Sequence, residues 1–168
     1  MNEEQIQVGH ISRQADGSFK GELQRVFYGH PRTAVWKMLT DPANIPLWLA
    51  PGTIEPRQGG RAQISFEDSG IAIDSEVKAY AELSELAYSW SSGNEPERML
   101  YWKLTDTDEG TLLTLTVNTP ANEDVAKACA GFEAHLEMLA AALEGIPVKF
   151  PFNLYLQART AYSQQLEQ

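Results

Sequence analysis

Two hydrophobic rhythms divide this chain. In its first two thirds, apolar residues return at every second position in short runs. Ala62, Ile64 and Phe66 share one face of the run over residues 61–67, and Ile71, Ile73 and Val77 share the inner face of the next. Leu86, Tyr88 and Trp90 repeat the pattern, as do Leu100, Trp102 and Leu104, and then Leu113, Leu115 and Val117. Turn signals separate these runs: Gln58-Gly59-Gly60, Asp68-Ser69-Gly70, Ser91-Ser92-Gly93-Asn94 and Asp108-Glu109-Gly110. Upstream, residues 5–14 alternate weakly, Ala15-Asp16-Gly17-Ser18 makes a hairpin turn, and residues 19–29 read as the return strand. Such a series predicts successive antiparallel hairpins.

After residue 122 the period changes. Val125, Cys129, Phe132, Leu136, Leu139 and Leu143 recur at steps of three and four, which predicts one long amphipathic helix over residues 122–145. Glu123 and Asp124 suit its positive end, and Gly145 and Pro147 stop it. Two shorter helices are expected between the first hairpin and the remaining strands. One opens at His30-Pro31, with Ala34, Val35, Met38 and Leu39 on its apolar side. The other runs from Asp41-Pro42 to Leu49 and is irregular at Pro46. Tyr155, Ala158, Tyr162 and Leu166 predict a final helix over residues 153–165. The expected fold is α+β: a curved antiparallel sheet of six or seven strands gripping a long C-terminal helix, whose apolar stripe has the sheet to bury against.

Composition narrows the partners. With 13 basic and 23 acidic residues among 168, the net charge is −10. That balance repels phosphate backbones and anionic lipid, so neither nucleic acid nor a membrane is an expected partner. No stretch approaches the length of a membrane span. The segment MNEEQIQVGH has neither a basic start nor an apolar run, and the single Cys129 fits a reducing compartment, so the expected location is the cytoplasm.

Chemical motifs are sparse. There is no glycine-rich phosphate loop, no HExxH and no CxxC, and the histidines stand far apart at 10, 30 and 135, so no catalytic residue, cofactor or metal site is assigned. Cys129 and His135 cannot form a nucleophile–base pair on a helix, because six residues rotate by about 240°. Cys129 reads as a small core residue. His135 lies on the shoulder of the buried face; it either offers an imidazole to a ligand or is satisfied by water or backbone. Asp74, Glu76, Lys78, Arg57 and Arg61 read as a solvated face and loop rim, while Ser75 is a polar residue on an inward phase, orienting a ligand or marking a bend.

The run FYGHPRTAVWKMLTDPANIPLWLAPG, the Gly59-Gly60 turn, GTLLTLTVN and GFEAHLEMLAAALEG resemble the START-like helix-grip (SRPBCC) superfamily. More narrowly they resemble the branch named after the activator of heat shock protein 90 ATPase. The resemblance covers residues 18–145 of what reads as one domain over residues 1–168, with residues 146–168 as an extension. Phe132 stands where many relatives carry Trp. The resemblance implies a cavity between sheet and helix, lined here by Trp48, Phe66, Ile73, Trp90, Trp102, Leu115, Phe132 and His135, with Trp48 near its mouth. Aromatic walls with few polar groups suit a small apolar or aromatic ligand. Three functions are weighed: a non-catalytic carrier or sensor of such a ligand, a stress-response co-chaperone acting on a heat-shock ATPase through its surface, and a cyclase- or hydrolase-like enzyme with His135 as acid or base. Phe150, Phe152, Tyr155 and Tyr162 dock either on the body or on a second copy, and a homodimer is the expected oligomer.

Overall fold

The computed structural model describes residues 6–167. Eight strands form one antiparallel sheet: β1 (His10–Arg13), β2 (Phe19–Tyr28), β3 (Gly52–Ile54), β4 (Arg61–Phe66), β5 (Ile71–Ala81), β6 (Glu85–Ser89), β7 (Met99–Thr107) and β8 (Gly110–Thr119). Their spatial order is β1-β2-β8-β7-β6-β5-β4-β3. The helices are α1 (Arg32–Thr40), α2 (Val125–Leu143) and α3 (Phe152–Leu166). α2 packs against β2 and β8, with α1 and α3 also in contact with it. This is the expected helix-grip architecture.

The two-residue period decides which faces meet the helix. Leu23 and Phe27 of β2, Leu100, Trp102 and Leu104 of β7, and Leu113, Leu115 and Val117 of β8 are all buried. The hydrogen-bonded register brings Trp102 opposite Leu115 and Leu23 opposite Leu115 on its other side, so one layer of side chains runs across three strands. On α2, Val125, Cys129, Phe132, Leu136 and Leu139 close this layer from above.

Several local expectations are corrected. The sheet has eight strands because β3, a three-residue strand after Pro51, pairs with β4 from Gly52↔Ile64 to Ile54↔Ala62. The second short helix is a single 3-10 turn, Ile45–Leu47. Asp41 spends its carboxylate on the amide of Ala43 at 2.9 Å, and Pro46 lacks the amide that a longer helix needs. Ile71 lies at the tip of the β4–β5 hairpin, beyond the reach of the core, and is 54% exposed. Residue 5, the first of the predicted N-terminal strand, lies outside the described residues.

The start of α2 is fixed by side chains. Asp124 is its cap and accepts from the amide of Lys127 at 3.0 Å. Glu123 lies outside the helix and receives two hydrogen bonds from Arg98, at 2.7 and 2.9 Å. That forked pair ties the helix entrance to the segment leading into β7. At the other end Gly145 adopts φ +78°, and the amides of Gly145 and Ile146 return to the carbonyls of Ala142 and Ala141.

Candidate functional site

The aromatic residues predicted to line a cavity do converge between the sheet and α2. They form a train of ring contacts from surface to core. Phe150, on the segment between α2 and α3, meets His135 with ring centres 5.4 Å apart. His135 meets Phe66 at 6.0 Å, Phe66 meets Trp90 at 5.9 Å, and Trp90 meets Phe132 at 5.3 Å. Phe132 meets Trp102 at 6.4 Å, and Trp102 meets Trp48 at 5.7 Å. All six contacts are edge-to-face, which suits the ring quadrupoles. Ile73 and Leu115 belong to the same buried cluster, on β5 and β8.

Alternation explains the convergence. Trp102 lies on the inward phase of β7, and Trp90 follows Tyr88 just past the end of β6. Phe132 and His135 stand one turn apart on α2. Trp48 is a correction: it ends the 3-10 turn deep in the core rather than near a mouth. Its indole N–H donates to the carbonyl of Met38 at 2.6 Å, which holds the ring inward.

The polar groups of this interior are few and specific. His135 shares a hydrogen bond between its Nδ1 and the carbonyl of Trp48, at 2.9 Å. Burial pushes its pKa below the ordinary 6.5, against a smaller upward pull from that carbonyl. A neutral ring bonded in this way donates from Nδ1 and keeps Nε2 as an acceptor. Burial also raises the pKa of the Tyr88 phenol, which therefore stays protonated. Trp102, only 1% exposed, has an indole Nε1 with no hydrogen-bond partner among the described residues. Leaving a buried donor unpaired costs about 1–3 kcal/mol.

Ser75 orients no neighbour but its own sheet: its hydroxyl donates to the carbonyl of Ser89 at 2.7 Å, linking β5 to β6. Cys129 has its thiol pushed up to about 12 by burial and by the nearby Glu133 carboxylate, so it is no nucleophile at neutral pH. Its sulfur packs onto Gly21, where a Cβ would come within 2.5 Å of it.

A second buried constellation was absent from the sequence reading. Glu133, 1% exposed, accepts from Arg25 at 2.6 Å, from the amide of Gly9 at 2.9 Å and from the hydroxyl of Tyr162. Tyr162 in turn receives a hydrogen bond from the Gly9 amide at 2.9 Å, and burial with the adjacent carboxylate pushes its pKa up. Gly9 is needed here, since a Cβ would meet the carbonyl oxygen of Glu22 at 2.0 Å. The signal was present in the spacing: Cys129, Glu133 and Leu136 fall at steps of four and three, which places a carboxylate on the buried stripe. An open cleft of about 740 Å³ adjoins this knot, lined by residues of β2, α2 and the segment before β1. Another of about 410 Å³ lies between α1 and the β5–β6 turn. Neither is lined by any of the eight predicted residues.

Among the described residues no cluster of three or more His, Cys, Asp or Glu is placed to hold a metal ion. Nor is any described helix long and apolar enough to cross a membrane.

The chain was compared with known proteins. The family model described as Activator of Hsp90 ATPase homolog 1-like protein matches residues 29–144. No curated protein matches. Among solved structures, CalU16 from Micromonospora echinospora is 20% identical, with a TM-score of 0.77 over 96% of this chain and 100% of its own. A conserved protein of unknown function from Enterococcus faecalis, EF2215, is 18% identical, with a TM-score of 0.78 over 95% of this chain and 90% of its own. DynU16, encoded in the dynemicin biosynthetic locus, is 29% identical, with a TM-score of 0.69 over 76% of this chain and 48% of its own. The first two likenesses establish the fold alone.

Proposed function

Because the chain belongs to the family of Activator of Hsp90 ATPase homolog 1-like proteins, with its SRPBCC helix-grip fold, we propose that it is a carrier or sensor that binds a small hydrophobic or aromatic molecule between the sheet and α2. The observation that carries this reading is the train of edge-to-face rings from Phe150 to Trp102. A flat ligand can replace such contacts ring for ring, entering past Phe66, Trp90 and His135 as those side chains turn aside. Phe66, Trp90 and His135 are only partly buried, whereas Trp48, Trp102, Ile73, Leu115 and Phe132 form the buried floor. Affinity comes from apolar burial, at about 25 cal/mol per Å² before ordering costs.

Titration with a panel of naphthalene-based apolar fluorophores tests the reading. Saturable quenching of tryptophan emission, weakened by Trp90→Ala, is the expected result. Absence of quenching by every member would overturn it.

Family membership also favours a second reading, association with a heat-shock ATPase through the acidic outer surface. A pull-down at low salt followed by an ATPase assay separates it from the first. Retention of the ATPase with no effect of cavity substitutions is its signature.

A further inference from the structure

Strand β2 has ten residues and β1 only four. On one side β2 pairs with β8 along its whole length, from Phe19↔Thr119 to Tyr28↔Gly110. On the other it pairs with β1 only from Phe19 to Glu22. Among the described residues, positions 23–28 therefore form a sheet edge with no strand beside it. Such an edge is a template for another extended chain.

Alternation decides which backbone groups that edge offers. The amide of Gly29 donates to the carbonyl of Glu109 at 2.8 Å, so the odd-numbered residues of β2 bond to β8. The even-numbered ones turn their N–H and C=O the other way. Glu22 obeys this rule, since its carbonyl oxygen lies against Gly9 on the β1 side. Gln24, Val26 and Tyr28 follow it into the open cleft of about 740 Å³. The guanidinium of Arg25, also in that cleft, reaches the carbonyl of Gln24 at 3.0 Å. Gln24, Arg25 and Val26 are consecutive and line the cleft from both faces of the strand, so the cleft runs along its edge. The opposite wall is the segment over residues 6–9, which leaves β2 upstream of His10 and is tied at Gly9 to Glu133 and Tyr162.

The walls favour one sign of charge. They carry three carboxylates, Glu22, Glu133 and Glu137, against one guanidinium and the imidazole of His10. Arg25 is already answered by Glu133 at 2.6 Å and Glu137 at 3.4 Å. Glu22 is exposed and Glu137 is half-exposed, one on each side of the strand. Apolar surface accompanies both. Val26 and Tyr28 share the outward phase of Glu22, and Leu154 lies on the side of Glu137. Tyr28 is 65% exposed.

We propose that the free edge of β2 docks an extended segment of a partner protein that carries both basic and apolar residues. The segment adds as a strand between β2 and residues 6–9. Main-chain hydrogen bonds to Gln24, Val26 and Tyr28 supply affinity. Val26, Tyr28 and Leu154 receive the apolar side chains, and Glu22 and Glu137 receive the basic ones. The net charge of −10 draws such a segment in. This docking is independent of whatever occupies the space between sheet and α2.

Capped hexapeptides of alternating lysine and valine, made in both phases, are the probes. Amide hydrogen exchange followed by NMR is the readout. At least one phase is expected to bind and to slow exchange at Gln24, Val26 and Tyr28. Glutamate–valine counterparts are expected to bind about tenfold more weakly or worse at low salt. Val26→Pro removes an N–H that faces the cleft and costs no bond to β8, so the variant is expected to fold and to lose binding. Methylating alternate peptide amides, in either set, is expected to abolish binding in one set, which decides the matter even if the variant does not fold. Four results would overturn the proposal: no binding by either lysine peptide, equal binding by the glutamate peptides, protection confined to other amides, or slow exchange at Gln24, Val26 and Tyr28 before any peptide is added.

Discussion

Phe132 and Glu133 are neighbours on α2 and lead into two opposite kinds of interior. Phe132 enters a space made almost wholly of rings that meet edge to face, where one indole N–H is without a partner among the described residues. Glu133 enters a knot in which its carboxylate accepts from a guanidinium, an amide and a phenol. The knot is saturated and the ring train is not. A fully satisfied buried network fastens one arrangement of the chain and has little left to offer a visitor. An apolar space with one unspent donor is poorly suited to fastening and well suited to recognition. The difference separates the knot from the proposed binding region more sharply than burial does, since Glu133 and Trp102 are equally hidden at 1% exposure.

The contrast breaks most visibly at the knot. Glu133→Ala strands the Tyr162 hydroxyl and the Arg25 charge, and is expected to cost about 3–5 kcal/mol in urea unfolding. A cost under 1 kcal/mol would show that the knot fastens nothing. Next comes the acid limb of the pH profile. Because the pKa of His135 is held below 6.5 in the fold, the unfolded chain takes up the proton first as pH falls. Stability is therefore full above about pH 6.5 and declines below it, by at most about 1.4 kcal/mol per pH unit. His135→Asn should flatten that segment between pH 6.5 and 5; an unchanged slope would place the proton elsewhere. The smallest effect is expected at Trp102→Phe in the ligand-free protein. Loss of packing is offset by removal of the unmet donor, leaving a net change of about 1 kcal/mol or less. A cost matching that of Glu133→Ala would erase the distinction between the two regions.

Much of the architecture was legible because it rests on periodicity. The alternation of Leu100, Trp102 and Leu104, and the stripe from Val125 to Leu139, specify both the sheet and the helix that closes it. The convergence of Trp90, Trp102 and Phe132 follows from the same phases. What escaped depends on contacts far apart in sequence. Strand β3 is three residues long and exists because β4 offers it an edge. The depth of Trp48 goes with contacts that no local pattern marks, the ring of Trp102 and the carbonyl of Met38. Arg25, Glu133 and Tyr162 carry no local signal of mutual contact, and the place of Glu133 on the buried stripe, four residues after Cys129 and three before Leu136, was passed over. His135 turned out to be bonded to backbone, the plainer of the two readings, with the bond made to a residue 87 positions away.

The knot also sets an order of events. Glu133 is answered from both sides of the chain, by Gly9 near its beginning and by Tyr162 near its end. Gln165 adds two more links to the same stretch, accepting from the amide of Ile11 and donating to the carbonyl of Gly9. On a ribosome, β1 and α2 emerge before α3, so the carboxylate waits inside an unfinished body until α3 has left the exit tunnel. Assembly of this part of the molecule therefore waits on α3, which acts as a latch on β1 and the residues before it.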